Sequence, residues 1–141
     1  MTENQVQINN KAMIYKTQQA MTASPQELAM MLYNGALRFI AESIKAIEDK
    51  DMEKAHEANI RAQDIVRELM NSLDMENEVA KGLYQLYDYL DFRLVQANMK
   101  KDPVQLEEAK EMLTELRDTW FQAMKMAREQ EVFQVGVAKI V

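Results

Sequence analysis

The sequence predicts an all-α protein, an antiparallel, up-down-up-down four-helix bundle. Only 3 Gly and 2 Pro occur among the 141 residues, so the turns that regularly spaced strands require are scarce. Four segments repeat apolar residues at steps of three and four, the spacing of one helical face. These segments have similar lengths and short connections, which favours antiparallel neighbours around one core.

The first two predicted helices have clear start signals. At the first start, Ser24 suits the N-cap, Pro25 suits the first helical position, and Glu27 completes a capping box. This helix is expected to reach about Asp49, and the second begins after the cap Asp51. The second helix has a heptad-like apolar seam, formed by Met52, Ala55, Asn59, Ala62, Val66, Leu69 and Leu73.

The third and fourth predicted helices follow the same pattern. The third begins between Asp74 and Glu78 and reaches about Met99. Its apolar stripe consists of Val79, Leu83, Leu86, Leu90, Leu94 and Ala97. The fourth begins with Asp102 as the cap and Pro103 at the first helical position. Its apolar positions are Leu106, Ala109, Leu113, Leu116, Trp120, Ala123 and Ala127.

Three regions are therefore predicted along the chain. The four-helix bundle occupies residues 21–128. Residues 1–20 are polar with scattered apolar side chains, and they are predicted to be flexible or to cover a groove on the outside of the bundle. Residues 129–141 form a short apolar C-terminal tail, for which docking, extension of the last helix and disorder all stay open.

Composition and charge exclude several classes of partner. The formal net charge is −6, which disfavours nucleic acid and anionic membrane surfaces. Because Cys is absent, there is no disulfide framework, thiolate nucleophile or cysteine metal site. No apolar run approaches the roughly 18 residues of a membrane span, and the first residues do not resemble a signal peptide. These features fit a cytoplasmic protein without membrane insertion.

No catalytic, metal or cofactor motif is recognisable. Di-iron bundles need a Glu-x-x-His motif on each of two helices, whereas Glu53 and His56 provide one and His56 is the only His. We expect His56 to be solvated or hydrogen-bonded. Phosphate-binding glycine motifs and the nucleophile elbow are also missing from the sequence. The protein is predicted not to be an enzyme and to need neither a cofactor nor a metal.

The first predicted helix is apolar over more than one face. Its apolar arc spans about 220°, whereas a core-facing stripe needs roughly 100–140°. Two explanations are open: the helix is clamped between two neighbours, or a second apolar face binds residues 1–20 or a partner. The side chains on or beside the surplus surface are Leu28, Met31, Leu32 and Phe39.

The third predicted helix carries aromatic side chains around its circumference. They are Tyr84, Tyr87, Tyr89 and Phe92. Aromatic residues outside a core are enriched at protein interfaces. Arg93 lies at the edge of the apolar stripe and is expected to form an ion pair with Asp88, Asp91 or a carboxylate of another helix.

Four segments in order resemble the flagellin-specific export chaperones, the FliS family. They are TASPQELAMMLYNGALRFI, KDMEKAHEANIRAQDIVRELMNSLD, LYQLYDYLDFRLVQAN and LRDTW, within about residues 10–121. The resemblance implies an antiparallel helical bundle in the cytoplasm that binds the disordered C-terminal segment of flagellin. It also implies that the protein prevents early polymerisation of flagellin and aids its delivery to the type III export gate, without ATP or catalysis.

The resemblance also implies a binding site. Flagellin's segment would form helices in apolar grooves, whose walls are expected to be Leu28, Met31, Leu32, Phe39, Tyr84 and Tyr87. The family's N-terminal stretch tends to cover part of the groove, which assigns Ile14 and Tyr15 to the same surface. Tyr15 matches a family Tyr seven residues before Thr22, but a further family motif is replaced by Asn10, Lys11 and Ala12.

A different class of protein fits the same pattern. A structural or regulatory bundle could hide its surplus apolar face by self-association, as a homodimer. Binding to flagellin and the oligomeric state of the purified protein distinguish the two hypotheses.

Overall fold

The part of the chain that the structure describes folds into five α-helices. The computed structural model describes residues 3–129, without the side chains of residues 3–9, 19, 20 and 127. In chain order the helices are α1 (Glu3–Thr22), α2 (Pro25–Glu48), α3 (Met52–Asn71), α4 (Glu78–Lys100) and α5 (Pro103–Glu129). Helices α2 to α5 surround one apolar core, which confirms the predicted all-α bundle. The predicted tail lies outside the described residues beyond Glu129.

Side-chain caps begin the helices where the sequence predicts them. Ser24 Oγ accepts a hydrogen bond from the backbone N–H of Glu27 at 3.2 Å. Asp51 does the same for the N–H of Lys54 at 3.1 Å, and Asn77 caps α4 within the predicted window. Each cap satisfies an N–H group that has no partner inside its own helix, so the start sites depend on local chemistry.

Helices α2 to α5 pack as a ring of neighbours: α2 with α3, α3 with α4, α4 with α5, and α5 with α2. Late in α2, the Ser43 hydroxyl donates to the Ala55 carbonyl at the start of α3, at 2.8 Å. Late in α5, Trp120 Nε1 donates to the Gln26 carbonyl at the start of α2, at 3.3 Å. The end of one helix thus meets the start of its neighbour, as in antiparallel pairs. None of the described helices is long and apolar enough to cross a membrane.

The closest helix pair is α2 with α3. Small side chains permit the approach: Ala55, Ala58 and Ala62 of α3 are all buried. A Cβ atom added to Gly35 of α2 would lie 3.3 Å from Cδ1 of Ile65, so α3 fills the space beside this glycine. The predicted α3 seam is confirmed except at its first position, Met52, which is exposed.

The buried face of α4 differs from the predicted stripe. Val79 and Leu86 were expected in the core, but both are exposed, whereas Tyr87 is only 2% exposed. The face that packs inward consists of Ala80, Leu83, Tyr87, Leu90, Leu94 and Ala97. Both registers step by three and four, so periodicity alone does not separate them. The observed register buries a large aromatic ring whose hydroxyl has a partner, which favours it over the alternative.

Helix α1 was not predicted. It contains neither Gly nor Pro and is rich in good helix formers such as Gln, Lys, Ala and Met. It belongs to none of the closely packed helix pairs. Every α1 side chain whose burial is described is exposed, including the apolar Met13, Ile14, Tyr15 and Met21. Intrinsic propensity, and not a buried apolar face, therefore accounts for this helix.

Candidate partner-binding surface

Two neighbours account for most of the wide apolar arc of α2. On one side Gly35 abuts Ile65 of α3. On the other side Asn34 Oδ1 accepts a hydrogen bond from Arg117 Nη1 of α5 at 3.2 Å. The face between these contacts is buried and comprises Ala29, Tyr33, Ala36, Leu37, Ile40 and Ile44. The clamped-helix explanation therefore holds for this part of the arc.

Part of the arc stays accessible beside α3. Leu28 is 38% exposed, while Leu32 and Phe39 are half-buried against the core. Their spacing places them on one side of α2, the side on which Gly35 meets Ile65. We call Leu28, Leu32, Phe39 and Ile65 the α2–α3 strip. Met31, also half-buried, lies about 60° further round α2 from Leu28.

Two arginines meet at the Phe39 end of the strip. The Arg38 guanidinium carbon lies 4.9 Å from the centre of the Phe39 ring. The corresponding atom of Arg61, on α3, lies 5.6 Å from the same centre. Both distances allow cation–π attraction, so this ring is contacted by positive groups from two helices.

The outer side of α4 presents a second accessible surface, which we call the α4 outer face. A surface depression there is bordered by Gln85, Asp88, Tyr89, Asp91, Phe92 and Val95. Phe92 is 57% exposed, and the nearby Tyr84 is partly exposed. Asp91 pairs with Arg67 of α3 at 3.3 Å, and its other carboxylate oxygen has no hydrogen-bond partner among the described residues. This surface combines aromatic rings with negative charge.

Tyr87 does not belong to either surface, which corrects the prediction that it forms a groove wall. Its hydroxyl is hydrogen-bonded to the hydroxyl of Tyr33 in the core. The two ring centres are 6.2 Å apart and the rings are tilted by 57°. Burial raises the pKa of Tyr33, although its bond to Tyr87 opposes the shift. Burial also raises the pKa of Tyr87, with the proximity of Tyr33 adding to the effect. Both hydroxyls therefore remain neutral at physiological pH.

Ile14 and Tyr15 lie on α1 and not on the two helices that form the α2–α3 strip. Both side chains are exposed, and α1 packs closely against no described helix. Successive helix positions point about 100° apart; accordingly Tyr15 and Met21 border one surface depression, whereas Ile14 and Met13 border another. The structure therefore brings Leu28, Leu32 and Phe39 together but does not add the α1 residues to them. Covering of the groove by this segment stays a prediction.

The ionisable residues that the sequence singled out have structural partners. His56 is exposed, with Nδ1 at hydrogen-bond distance, 2.8 Å, from Asn98 Nδ2. Arg93 pairs with Glu108 of α5 and donates to the Tyr89 hydroxyl at 2.9 Å. The expected hydrogen-bonded histidine and interhelical ion pair are thus confirmed. Among the side chains that the structure describes, no cluster of three or more His, Cys, Asp and Glu residues could hold a metal ion.

Some accessible residues were missing from the predicted site. The predicted site contains none of Tyr89, Phe92 and Val95, which border the depression on the α4 outer face. Their signal was available, because positions 85, 88, 89, 92 and 95 fall on one side of a helix. Ile65 is absent from the predicted site for another reason. Its contact with Gly35 depends on how α3 packs against α2, which the sequence pattern of a single helix does not show.

Comparison with known proteins identifies the family. The family model described as Flagellar protein FliS matches residues 7–127. The Flagellar secretion chaperone FliS of Bacillus subtilis strain 168 is 40% identical over 131 residues, 93% of this chain and 98% of that protein. The relatives of the same name in Vibrio cholerae and Salmonella typhimurium are 31% and 35% identical, covering 84% and 79% of this chain and 89% and 84% of their own lengths. The chain therefore belongs to the FliS family of flagellar proteins.

Proposed function

We propose that this protein is a cytoplasmic flagellar secretion chaperone that binds the disordered C-terminal segment of flagellin. Binding prevents premature polymerisation and aids delivery of flagellin to the type III export gate. The observation that carries the proposal is the α2–α3 strip, an apolar surface that stays accessible beside the buried core-facing residues of the same helix. Family membership supports the flagellar role, since its relatives are named secretion chaperones.

The strip has the properties that a folding-upon-binding partner requires. A disordered segment loses conformational entropy when it becomes helical, so the contact must bury a long apolar surface. Leu28, Leu32 and Phe39 span 12 positions of α2, and the first and last are separated by about 16 Å of helix. That length matches three turns of an amphipathic partner helix lying in the groove. The α4 outer face, with Tyr84 beside it, extends the accessible apolar surface to a second helix.

The proposed contact residues divide by position. Leu28, Met31 and Leu32 line the α2 side, with Phe39 at its end, and Tyr84 contributes from α4. Tyr87 is not a contact residue in this proposal, because it is buried in the core and hydrogen-bonded to Tyr33. In this proposal Ile14 and Tyr15 belong to a segment that competes with flagellin, which would reduce the fraction of protein competent to bind.

The first experiment measures binding of purified flagellin by isothermal titration calorimetry. Intact flagellin should bind, and flagellin without its last roughly 40 residues should not. Leu28→Asp should weaken binding at least tenfold, about 1.4 kcal/mol. The matched control is Phe121→Asp, at a similarly exposed apolar residue of α5, which should bind like the wild type. Equal binding of intact and truncated flagellin would exclude the mechanism.

Self-association is the second candidate function. The exposed apolar residues of α4, such as Phe92 and Met99, favour it because such surfaces commonly mark interfaces. Size-exclusion chromatography with light scattering tests it directly. A tight dimer that does not bind flagellin supports this function, and a monomer that binds flagellin contradicts it.

A further inference from the structure

The charge distribution at the α2–α3 strip is uneven. The Phe39 end has two guanidinium groups, from Arg38 of α2 and Arg61 of α3, within 4.9 and 5.6 Å of one ring centre. The chain as a whole has a net charge of −6, so a local pair of cations is opposite in sign to the average surface. Two like charges that share one ring repel each other, and a nearby anion would relieve that repulsion.

These arginines have weaker carboxylate partners than Arg67, Arg93 and Arg117. Among the described residues Arg38 forms one ion pair, with Glu42 at 3.9 Å, and both side chains are about half exposed. Arg61 forms no ion pair within the described part of the chain. By contrast, Arg67, Arg93 and Arg117 are each paired with a carboxylate. Arg38 and Arg61 are therefore available to bind an external anion.

We infer that Arg38 and Arg61 form a carboxylate-binding end of the α2–α3 strip. The partner is an amphipathic helix that places apolar side chains on Leu28 and Leu32 and a carboxylate beside the two guanidinium groups. This inference rests on the proposed function and adds the chemistry and direction of the bound segment. The carboxylate is an Asp or Glu side chain of that segment or its terminal carboxylate.

The geometry suits this role. A guanidinium group presents a planar fork of N–H donors that matches the two oxygens of a carboxylate. Contact with the Phe39 ring restrains both arginines without using their N–H groups. Because the charges lie at one end of an apolar strip, only one direction of the partner helix satisfies both the apolar and the charged contacts. The pair therefore sets orientation as well as affinity.

The test uses intact flagellin and full-length variants of this protein. Binding is measured by calorimetry at low and high salt for the wild type and for the double variant Arg38→Gln/Arg61→Gln. The double variant should bind at least tenfold more weakly at low salt, and the difference should shrink at high salt because exposed charges are screened. The control is Arg128→Gln, an exposed arginine near the end of α5, which should bind within twofold of the wild type.

A second arm identifies the carboxylate. Each Asp and Glu of the flagellin C-terminal segment is replaced by Asn or Gln, and a synthetic segment is compared with and without C-terminal amidation. Replacement of the carboxylate that contacts the two arginines should weaken binding to the wild type. The same replacement should have no further effect on binding to the double variant, as a double-mutant cycle requires. Identification of a side chain or of the terminus distinguishes the two sources.

The outcomes separate this inference from the proposed function. Strong binding of flagellin that changes less than twofold in the double variant would overturn the inference and leave the proposed function standing. A set of carboxylate changes that all weaken binding equally to wild type and double variant would also overturn it. Failure of flagellin to bind the wild type would remove the proposed function and the inference together.

Discussion

Helices α2 and α4 have similar lengths, 24 and 23 residues, and they meet in the core through Tyr33 and Tyr87. Their outer surfaces nevertheless differ. Eight residues of α2 are buried, compared with five of α4, and α2 has its most extensive contact with α3, which carries the buried residues Ala55, Ala58 and Ala62. Two helices of similar length can therefore bury different numbers of residues, because burial depends on the neighbouring helices as well as on the helix's own sequence.

The two helices also differ in the charge around their accessible apolar residues. The α2–α3 strip ends at Arg38 and Arg61, whereas the depression on α4 is bordered by Asp88 and by Asp91, which pairs with Arg67. A single partner helix with one pattern of charge would not suit both surfaces equally. If a flagellin segment contacts both, we expect it to use different parts of its sequence.

The largest expected effect tests whether the inner faces of α2 and α4 are equivalent despite their different outer faces. Ile40 and Leu90 are both 0% exposed, so Ile40→Ala and Leu90→Ala should each lower the free energy of unfolding by about 2–5 kcal/mol. Urea unfolding followed by circular dichroism measures this change. Met99→Ala, at a 76% exposed position, is the control and should change it by less than about 0.5 kcal/mol. A loss below 1 kcal/mol at either core site would contradict the shared core.

The next effect concerns the tyrosine pair that joins the two helices. Burial raises the pKa of both hydroxyls in the folded state, while unfolded tyrosine ionises near pH 10. Above that pH the unfolded chain binds fewer protons than the folded chain, so the stabilisation present below pH 10 is lost as pH rises. Each tyrosine should reduce the free energy of unfolding by up to about 1.4 kcal/mol per pH unit in this range.

Urea unfolding at pH 9, 10 and 11 measures this alkaline loss. The variant Tyr33→Phe/Tyr87→Phe should be less stable at neutral pH, since it lacks the hydrogen bond, but its stability should fall less steeply above pH 10. If the free energy of unfolding fell equally steeply with pH in the wild type and the variant, the tyrosine pair would not be the cause of the alkaline destabilisation.

A smaller effect separates the two outer surfaces. Phe39 is half-buried against the core, so Phe39→Ala should lower the free energy of unfolding by about 1–3 kcal/mol. Phe92 is 57% exposed, and Phe92→Ala should change it by less than about 0.5 kcal/mol. Thermal unfolding of both variants provides the comparison. Similar losses would mean that the α4 outer face supports the fold as much as the α2–α3 strip does.

The smallest expected effect comes from removing α1, which belongs to none of the closely packed helix pairs. Deletion of residues 1–22 should leave the Tm within about 2 °C of the full chain, because α1 buries none of its described side chains. Differential scanning calorimetry measures this. A loss above 5 °C would indicate that α1 supports the bundle. Increased flagellin affinity of the same variant would support covering of the groove, and unchanged affinity would count against it.

The sequence by itself determined the helix starts, their lengths and most inward-facing positions. Ser24 and Asp51 cap helices through contacts three residues away, and such chemistry needs no information about the rest of the fold. It also indicated that Leu28, Leu32 and Phe39 lie outside the narrow core stripe. The formation of α1 also depends on local helix propensity, but apolar periodicity does not predict it, because a helix without a buried face needs no such periodicity.

Only the tertiary structure decided which apolar residues remain accessible. The registers of α4 that bury Leu86 or Tyr87 have the same periodicity, and the choice depended on Tyr33 offering a hydroxyl across the core. The meeting of Arg61 with Phe39 likewise depended on how closely α3 approaches α2. Each of these contacts brings together two residues that are distant in the sequence. Whether one of them is buried or paired therefore depends on the other residue as well. No pattern within a single helix could therefore specify them.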